Sequence, residues 1–481
     1  MPQRWGWQRR RRPRWSAAAR LSGVGVGTIA WLLVAVNPAP AQTLSEAFAY
    51  AYNNNPQLLA QRAQLRATDE SVPQALANWR PTVTFNASAG PNRVGIEEPN
   101  AITGASTPTE FESYVARTVQ LQVTQPVYRG GRTEAQTRQA IDTVEATRAQ
   151  TMAVEEQVFQ AVAQGYLDVV RDRQLLEVAR NNENVLEKQL ESTRDRFRVG
   201  EVTRTDVAQA ESSLAQATAQ RINAEGQLRV SEAEYTRAVG HPPGRLLQPR
   251  ERPALPGTLE AALQLASNDN PEVISAMFTE LAARANVSVV RGQLLPQVSL
   301  VGSLLRSYAP ATTLFNARED VASVTLQLTV PLYQGGAVYS QTRQAEQTVG
   351  QRQSQVDDAR RQAVQTATQN WETLQAARAA IASFGTAVRA AQIALEGTQQ
   401  EALVGTRTVL DVLIAEQQLF TTQSQLVTSE HDAALAEFNL AAACGRLIAP
   451  DMKLPVRLYD MDRHYNEVKN KWLGFGGGLR Q

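Results

Sequence analysis

Between residues 82 and 126 apolar and polar side chains alternate. In "TVTFNASAG", Val83, Phe85, Ala87 and Ala89 share one face, opposite Thr82, Thr84, Asn86 and Ser88. In "YVARTVQLQVTQP", Val115, Val119, Leu121 and Val123 oppose Thr118, Gln120, Gln122 and Thr124. The pattern returns at Val298, Leu300 and Leu304, then at Ala322, Val324, Leu326, Leu328 and Val330. A period of two with one apolar face marks a strand between two environments. Each run is close to the roughly 9–11 residues that a tilted strand needs to cross a bilayer. Two strand hairpins are predicted, at 81–126 and 296–331.

After each hairpin the period changes. No proline occurs from Val127 to His241 or from Leu332 to Ala449, and Val158, Val162, Tyr166, Val169 and Leu176 recur at helical spacing. A narrow apolar seam of this kind predicts long helices packed along their length by neighbours. At about 1.5 Å per residue, the run from residue 132 would extend on the order of 100 Å. Gly200 and Gly405 interrupt the two runs. Thr203 and Thr408 follow as predicted N-caps, with Asp206 and Asp411 three residues on, in the first turn of the next helix.

These features come in pairs. "LSEAFAYAYNNNPQLLAQRAQL" from Leu44 is echoed by "LEAALQLASNDNPEVISAMFTEL" from Leu259, at an offset of 215. "VQLQVTQPVYRGG" is echoed by "VTLQLTVPLYQGG" at an offset of 205, so the first copy holds ten extra residues between its strands. Such an insertion is expected in an exposed loop. The offset of 205 then holds through Gly200 and Gly405, Asp206 and Asp411, and Glu211 and Glu416. The predicted organisation is a leader at 1–41, a first repeat at 42–240 and a linker at 241–258. A second repeat follows at 259–445, with a C-terminal segment and tail at 446–481.

Composition narrows the class. The first 41 residues carry seven arginines and no acid or lysine, then an apolar run and "APA". This is the layout of a secretory signal, with cleavage expected after Ala41. Without those seven, 41 of the 48 basic residues remain against 47 acids, which removes the case for nucleic-acid binding. Cys444 is the only cysteine, so no intrachain disulfide is expected, and none stands at the expected mature N-terminus to carry a lipid. His241, His431 and His464 lack metal-ligand spacing. No triad, phosphate loop or metal motif is present, so neither an enzyme nor a cofactor is expected.

Four strands per chain cannot close in lipid, where each unpaired backbone group costs several kcal/mol. Bacterial barrels need about eight strands or more, and three copies of this chain would supply twelve. The paired halves, "PVYRGG" and "PLYQGG", the turns "FRVGEVTRTDV" and "ALVGTRTVLDV", and the closing "HYNEVKNKW" resemble the TolC family of outer-membrane channels over nearly the whole mature chain. The closing motif is similar to its type I secretion branch. The resemblance implies an α+β membrane protein. A homotrimeric twelve-stranded barrel in outer-membrane lipid would continue into a periplasmic α-helical coiled-coil tunnel. It implies a passive exit duct for type I protein secretion or drug efflux. A periplasmic adaptor and an inner-membrane ABC or proton-driven transporter would open it.

In that family the turns at Gly200 and Gly405 form the periplasmic entrance. Asp411 matches a pore-lining aspartate, and Arg407 and Asp206 match positions that hold the entrance shut, beside Thr203 and Thr408. The chain departs from some members at Ile414, where they carry a second aspartate, and at Ala402, where they carry a tyrosine. The strand-to-helix junctions are Pro126, Tyr128, Gly130 and Gly131, and Pro331, Tyr333, Gly335 and Gly336. The blander readings are simple. Asp206 and Asp411 serve as first-turn acids, Arg407 is a solvated loop charge, and Tyr128 and Tyr333 pack the joints rather than forming an interface belt. The alternative class is a soluble periplasmic coiled-coil structural or adaptor protein, with no lipid-facing band.

Overall fold

A computed structural model describes residues 42–96, 102, 104, 110–249, 251–308 and 318–475. The leader, most of the connections between paired strands and the last six residues lie outside these. The first repeat runs α1 (Leu44–Asn54), α2 (Pro56–Asp69), α3 (Ser71–Leu76), β1 (Thr82–Ile96), β2 (Glu110–Arg129), α4 (Arg132–Arg198) and α5 (Arg204–Val239). The second runs α6 (Leu259–Asn268), α7 (Pro271–Arg291), β3 (Gln297–Tyr308), β4 (Arg318–Thr329), α8 (Ala337–Leu403) and α9 (Val409–Ala443), followed by α10 (Met461–Val468). The repeats differ where Pro73 sits. It has no N–H to continue the ladder, and the chain breaks at Glu70 into α2 and α3, whereas α7 runs on unbroken.

The four strands form one antiparallel sheet in the order β1-β2-β3-β4. Its register keeps the predicted faces together: Val83 pairs with Val123, Phe85 with Leu121, Leu121 with Leu304 and Leu300 with Leu326. The ten extra residues of the first copy are not simply a loop. β1 is 15 residues against 12 for β3, and β2 starts at Glu110, three residues earlier in repeat register than β4 at Arg318. Six of the ten therefore lengthen the hairpin. Cross-strand pairing carries β1 through Gly90-Pro91-Asn92, a run that reads locally as a turn. β2 also continues past Pro126 to Arg129, with a bulge at Val127 that accommodates the missing proline N–H.

Around the middle of the long helices the two repeats share one core. Phe48 and Tyr52 of α1, Phe159 and Tyr166 of α4, Tyr235 of α5 and Phe438 of α9 are buried together with Leu447. The Tyr166 hydroxyl lies 2.9 Å and 2.6 Å from the carbonyls of Gln42 and Leu247. The segment expected as a linker is thus pinned to Gln42, just ahead of α1, and a parallel bridge between Gln42 and Leu246 reinforces it. His431 of α9 meets Asp168 of α4 at 2.9 Å, and Arg171 pairs with both Asp168 (2.8 Å) and Asp172 (2.7 Å). This buried ionic cluster joins the second repeat to the first.

Neighbouring carboxyls of α4 clamp the chain after α9. Glu155 accepts from the Ala449 N–H at 2.7 Å, and Glu156 accepts from the Leu447 backbone. Burial, helped by the nearby Glu155, Glu272 and Asp451 charges, pushes the Glu156 carboxyl up to about 8. The folded protein then binds this proton more tightly than the unfolded chain does. Glu156 therefore contributes stability below its unfolded value of 4.5 that is lost as pH rises to about 8. Glu156→Gln should flatten that decline and raise stability at neutral pH by on the order of 1 kcal/mol or more. Thermal unfolding of both proteins across pH 4 to 8 (roughly the titration window) checks it.

Candidate functional site

The two helical hairpins end in tips built to the same plan. At the first, Gly200 takes a left-handed φ of 83°. Its N–H donates to the Phe197 carbonyl (3.0 Å), and the Glu201 N–H donates to that of Arg196 (2.9 Å). At the second, Gly405 has φ 85°, its N–H donates to Ala402 (3.3 Å), and the Thr406 N–H donates to Glu401 (3.0 Å). Both are Schellman closures, which use up the last helical carbonyls and need a residue tolerant of positive φ.

Each next helix opens with a capping box. The Thr203 N–H and Oγ1 both donate to Asp206 Oδ2 at 2.8 Å, and the Asp206 N–H returns a bond to Thr203 Oγ1 (3.3 Å). Thr408 and Asp411 repeat this at 2.9, 2.8 and 3.2 Å. The aspartates are thus first-turn acids by geometry, with one oxygen of each engaged in the cap. Backbone and hydroxyl donation from Thr408, with a smaller contribution from Arg407, holds the Asp411 carboxyl below the usual carboxylate range.

Arg407 is not an unpaired loop charge. Its Nε donates to Glu401 Oε2 at 2.8 Å, from the last turn of α8. Both side chains are about half exposed, so within one chain the pair is worth little. Ala402 is buried with Leu395 and Val412, while Ile414 is exposed. Val409 and Leu413 of the second tip pack against Leu186, Leu190 and Ala210 of the first, so the two tips touch through one small apolar cluster.

Three tip residues were not singled out from the sequence. Glu401 is one. The others are Arg194 and Gln399, each of which links the helices of its hairpin: Arg194 to Glu211 at 2.6 Å in the first, and Gln399 to Glu416 at 3.0 Å in the second. The offset of 205 relates these pairs, so the repeat alone could have found them. The second link is buried at its Glu416 end, where desolvation pushes the carboxyl up.

At the other end, the strand-to-helix junctions are unequal. Gly130 and Gly131, with φ 64° and 71°, turn β2 into α4. A side chain at Gly130 would fall 2.5 Å from the Gly292 carbonyl oxygen of the second repeat. Gly335 and Gly336 repeat the conformation but face nothing within 4 Å. Tyr128 is on the sheet, paired with Val298, whereas Tyr333 lies past the end of β4 with 81% of its surface exposed. Pro126 precedes the bulge, and Pro331 has no partner strand. Among the described residues, no group of three or more His, Cys, Asp and Glu side chains could hold a metal ion.

An amphipathic sheet standing on paired helical hairpins, the longer helix of each 67 residues, is the build of an outer-membrane channel with a periplasmic tunnel. The chain belongs to the outer membrane efflux protein family, whose profile matches residues 49–241 and 262–446. It is 34% identical over 443 residues to the outer membrane efflux protein BepC of Brucella suis, covering 91% of this chain and 92% of the relative. The alkaline protease secretion protein AprF of Pseudomonas aeruginosa is 26% identical, with 88% and 89% covered. The Campylobacter jejuni CmeC outer membrane channel superposes with a TM-score of 0.75 at 15% identity, covering 89% of each chain. The protein is therefore an outer-membrane export channel, and its family is one of channels rather than enzymes.

Losing either cap hydroxyl leaves helix N–H groups without their acceptor. Thr203→Ala and Thr408→Ala should each cost about 1 kcal/mol of local stability. Amide exchange should quicken at residues 204–207 and 409–412, respectively, with exchange in the shared core unchanged.

Proposed function

We propose that three copies of this chain close into a ring and form a passive duct, with a periplasmic adaptor docking at the tips and an inner-membrane transporter supplying the energy. The observation that carries this reading is the pair of open sheet edges. Every described side chain of β4 is exposed, and β1 lacks a partner on its outer side. In hydrocarbon such edges have to be paired.

The internal repeat supplies the missing register. Within the chain, β2 and β3 pair so that Leu121 faces Leu304 and Val123 faces Gly302. Moving each strand to its repeat equivalent sets Leu326 against Ala89, and Leu328 against Ala87, of the next copy. Both pairs keep apolar face with apolar face, as a continuous barrel requires. The burial of α4 and α8 agrees: α4 has 26 buried residues of 67, while its equivalent α8 has 9 of 67. α8 is the helix that a neighbouring copy would cover. The open space at Gly335 has the same explanation.

At the tips, three Asp411 carboxylates would ring the entrance, with Arg407 and Asp206 contributing to its closure. Opening would be a shear of one hairpin past its neighbours, because the capped helices move as rods. The tips' exposed apolar residues, Val199, Leu403 and Val404, offer the docking surface for an adaptor. Protein secretion or drug efflux is the transport it would serve, and the partner pump selects the cargo.

Ring closure is tested by a cysteine pair. Ala87→Cys with Leu328→Cys should give a disulfide-linked trimer on oxidation in membranes, whereas Ala87→Cys with Val324→Cys, two rows out of register, should not. Monomer in both would defeat the reading. For the entrance, Arg407→Ala and Asp206→Ala should each raise single-channel conductance. Asp411→Asn should abolish cation preference. In the parent channel that preference should persist from neutral pH to about 4, because Asp411 stays ionised there.

A further inference from the structure

Lys471–Phe475, at the end of the described chain, lie at the foot of the sheet and have no part in the export reading. Arg80, two residues before β1, donates from Nη1 to the Lys471 carbonyl at 2.7 Å. Its guanidinium lies 4.7 Å from the centre of the Trp472 ring. The C-terminal segment is therefore tied to the root of the first strand. Beside it, Gln125 of β2 donates to the Trp79 carbonyl at 2.8 Å. Gln125 pairs with Leu300 and shares a face with Val123 and Leu121, so Trp79 and Arg80 sit beneath the apolar face of the sheet, not the polar one.

That apolar face has measurable limits. It runs from Val298 and Leu328 up to Leu304 and Ala322, and the ion pair of Arg306 with Asp320 (2.6 Å) caps it. At about 3.3 Å per residue and a tilt of about 40°, the rows from 298 to 306 rise on the order of 20 Å, close to the ~25 Å band of outer-membrane barrels. Above the charged row stand Tyr308 and Phe111, the latter stacked on Arg93. In the lowest row of the band the strands offer Tyr128, paired with Val298, and below come Trp79 and the C-terminal segment. Trp472 is 65% exposed, Leu473 89%, and Phe475 fully so. A cluster of that kind in water is unfavourable, and aromatic side chains flanked by cations suit a headgroup boundary.

We propose that Trp472, Leu473 and Phe475 form a foot that enters the headgroup–acyl boundary of the periplasmic leaflet. Lys471 and Arg80 would face the phosphates of anionic phospholipids. Part of the lower aromatic girdle then comes from the C-terminus rather than from the strands. The inference rests on the apolar strand face pointing to lipid.

Beyond residue 41 the chain has three tryptophans, Trp79, Trp371 and Trp472. The channel is reconstituted in phosphatidylethanolamine–phosphatidylglycerol vesicles, with and without lipids brominated near the headgroup end of the acyl chains. The emission difference between wild type and Trp472→Phe isolates Trp472 without disturbing the other two. Bromination should quench that component, and Phe85→Trp, placed in the apolar band, should be quenched as the reference. An unquenched Trp472 beside a quenched Phe85→Trp overturns the foot and leaves the lipid-facing band standing. If Trp472→Ala also weakens the oligomer, the segment is a subunit contact. If neither is quenched, the outward-face reading fails and the foot with it.

Discussion

Unpaired backbone at the two edges of a four-stranded sheet is the constraint from which the rest of this protein follows. Lipid offers no hydrogen bonds, so the main chain of β1 and β4 needs partners that one molecule cannot provide. Closing the sheet on further copies, as proposed, would resolve this. Closure also dictates where the helices go, since α4 and α8 continue from β2 and β4 through paired glycines. In the proposed assembly a ring of strands above would therefore become a ring of helices below.

The internal repeat makes that ring economical. The junction between first and second repeat, with Gly130 against Gly292 and β2 against β3, is a contact the chain already makes with itself. The junction between copies need only reproduce it. The uneven burial of two helices of identical length belongs to this logic, because one lies inside the chain's own fold and the other at its margin. The equivalence is imperfect where the repeats have diverged. The Asp168–His431 cluster, the Tyr166 hydroxyl and the Glu155–Glu156 clamp all join elements within one chain and make the single copy a rigid unit.

Rigidity is what gives the tips their significance. Two Schellman closures and two capping boxes satisfy the helix ends without help from neighbours, so each hairpin holds its shape while its surroundings change. What joins one hairpin to the other at the tip is weaker: a few apolar contacts around Val409 and Leu413. A structure stiff along its helices and weakly joined across them would move by sliding, as the proposed opening requires. That is the mechanical requirement of a gate at the far end of a long tunnel.

Much of this was legible in the residues, because it depends on local backbone chemistry. Alternation marked the strands and their faces, helical spacing marked the seam, and Gly200, Thr203 and Asp206, with their echoes, marked the tips. Strand length was not legible: Gly90-Pro91-Asn92 reads as a turn, and only pairing with residues 114–116 of β2 keeps it extended. Nor were the contacts that join distant parts, such as His431 to Asp168 and Arg80 to Trp472. By itself the sequence determined periodicity, caps and repeat, since each is settled within a few residues. Tertiary structure decided register, burial and partnership, since those depend on which remote surface supplies the opposing hydrogen bond or the opposing charge.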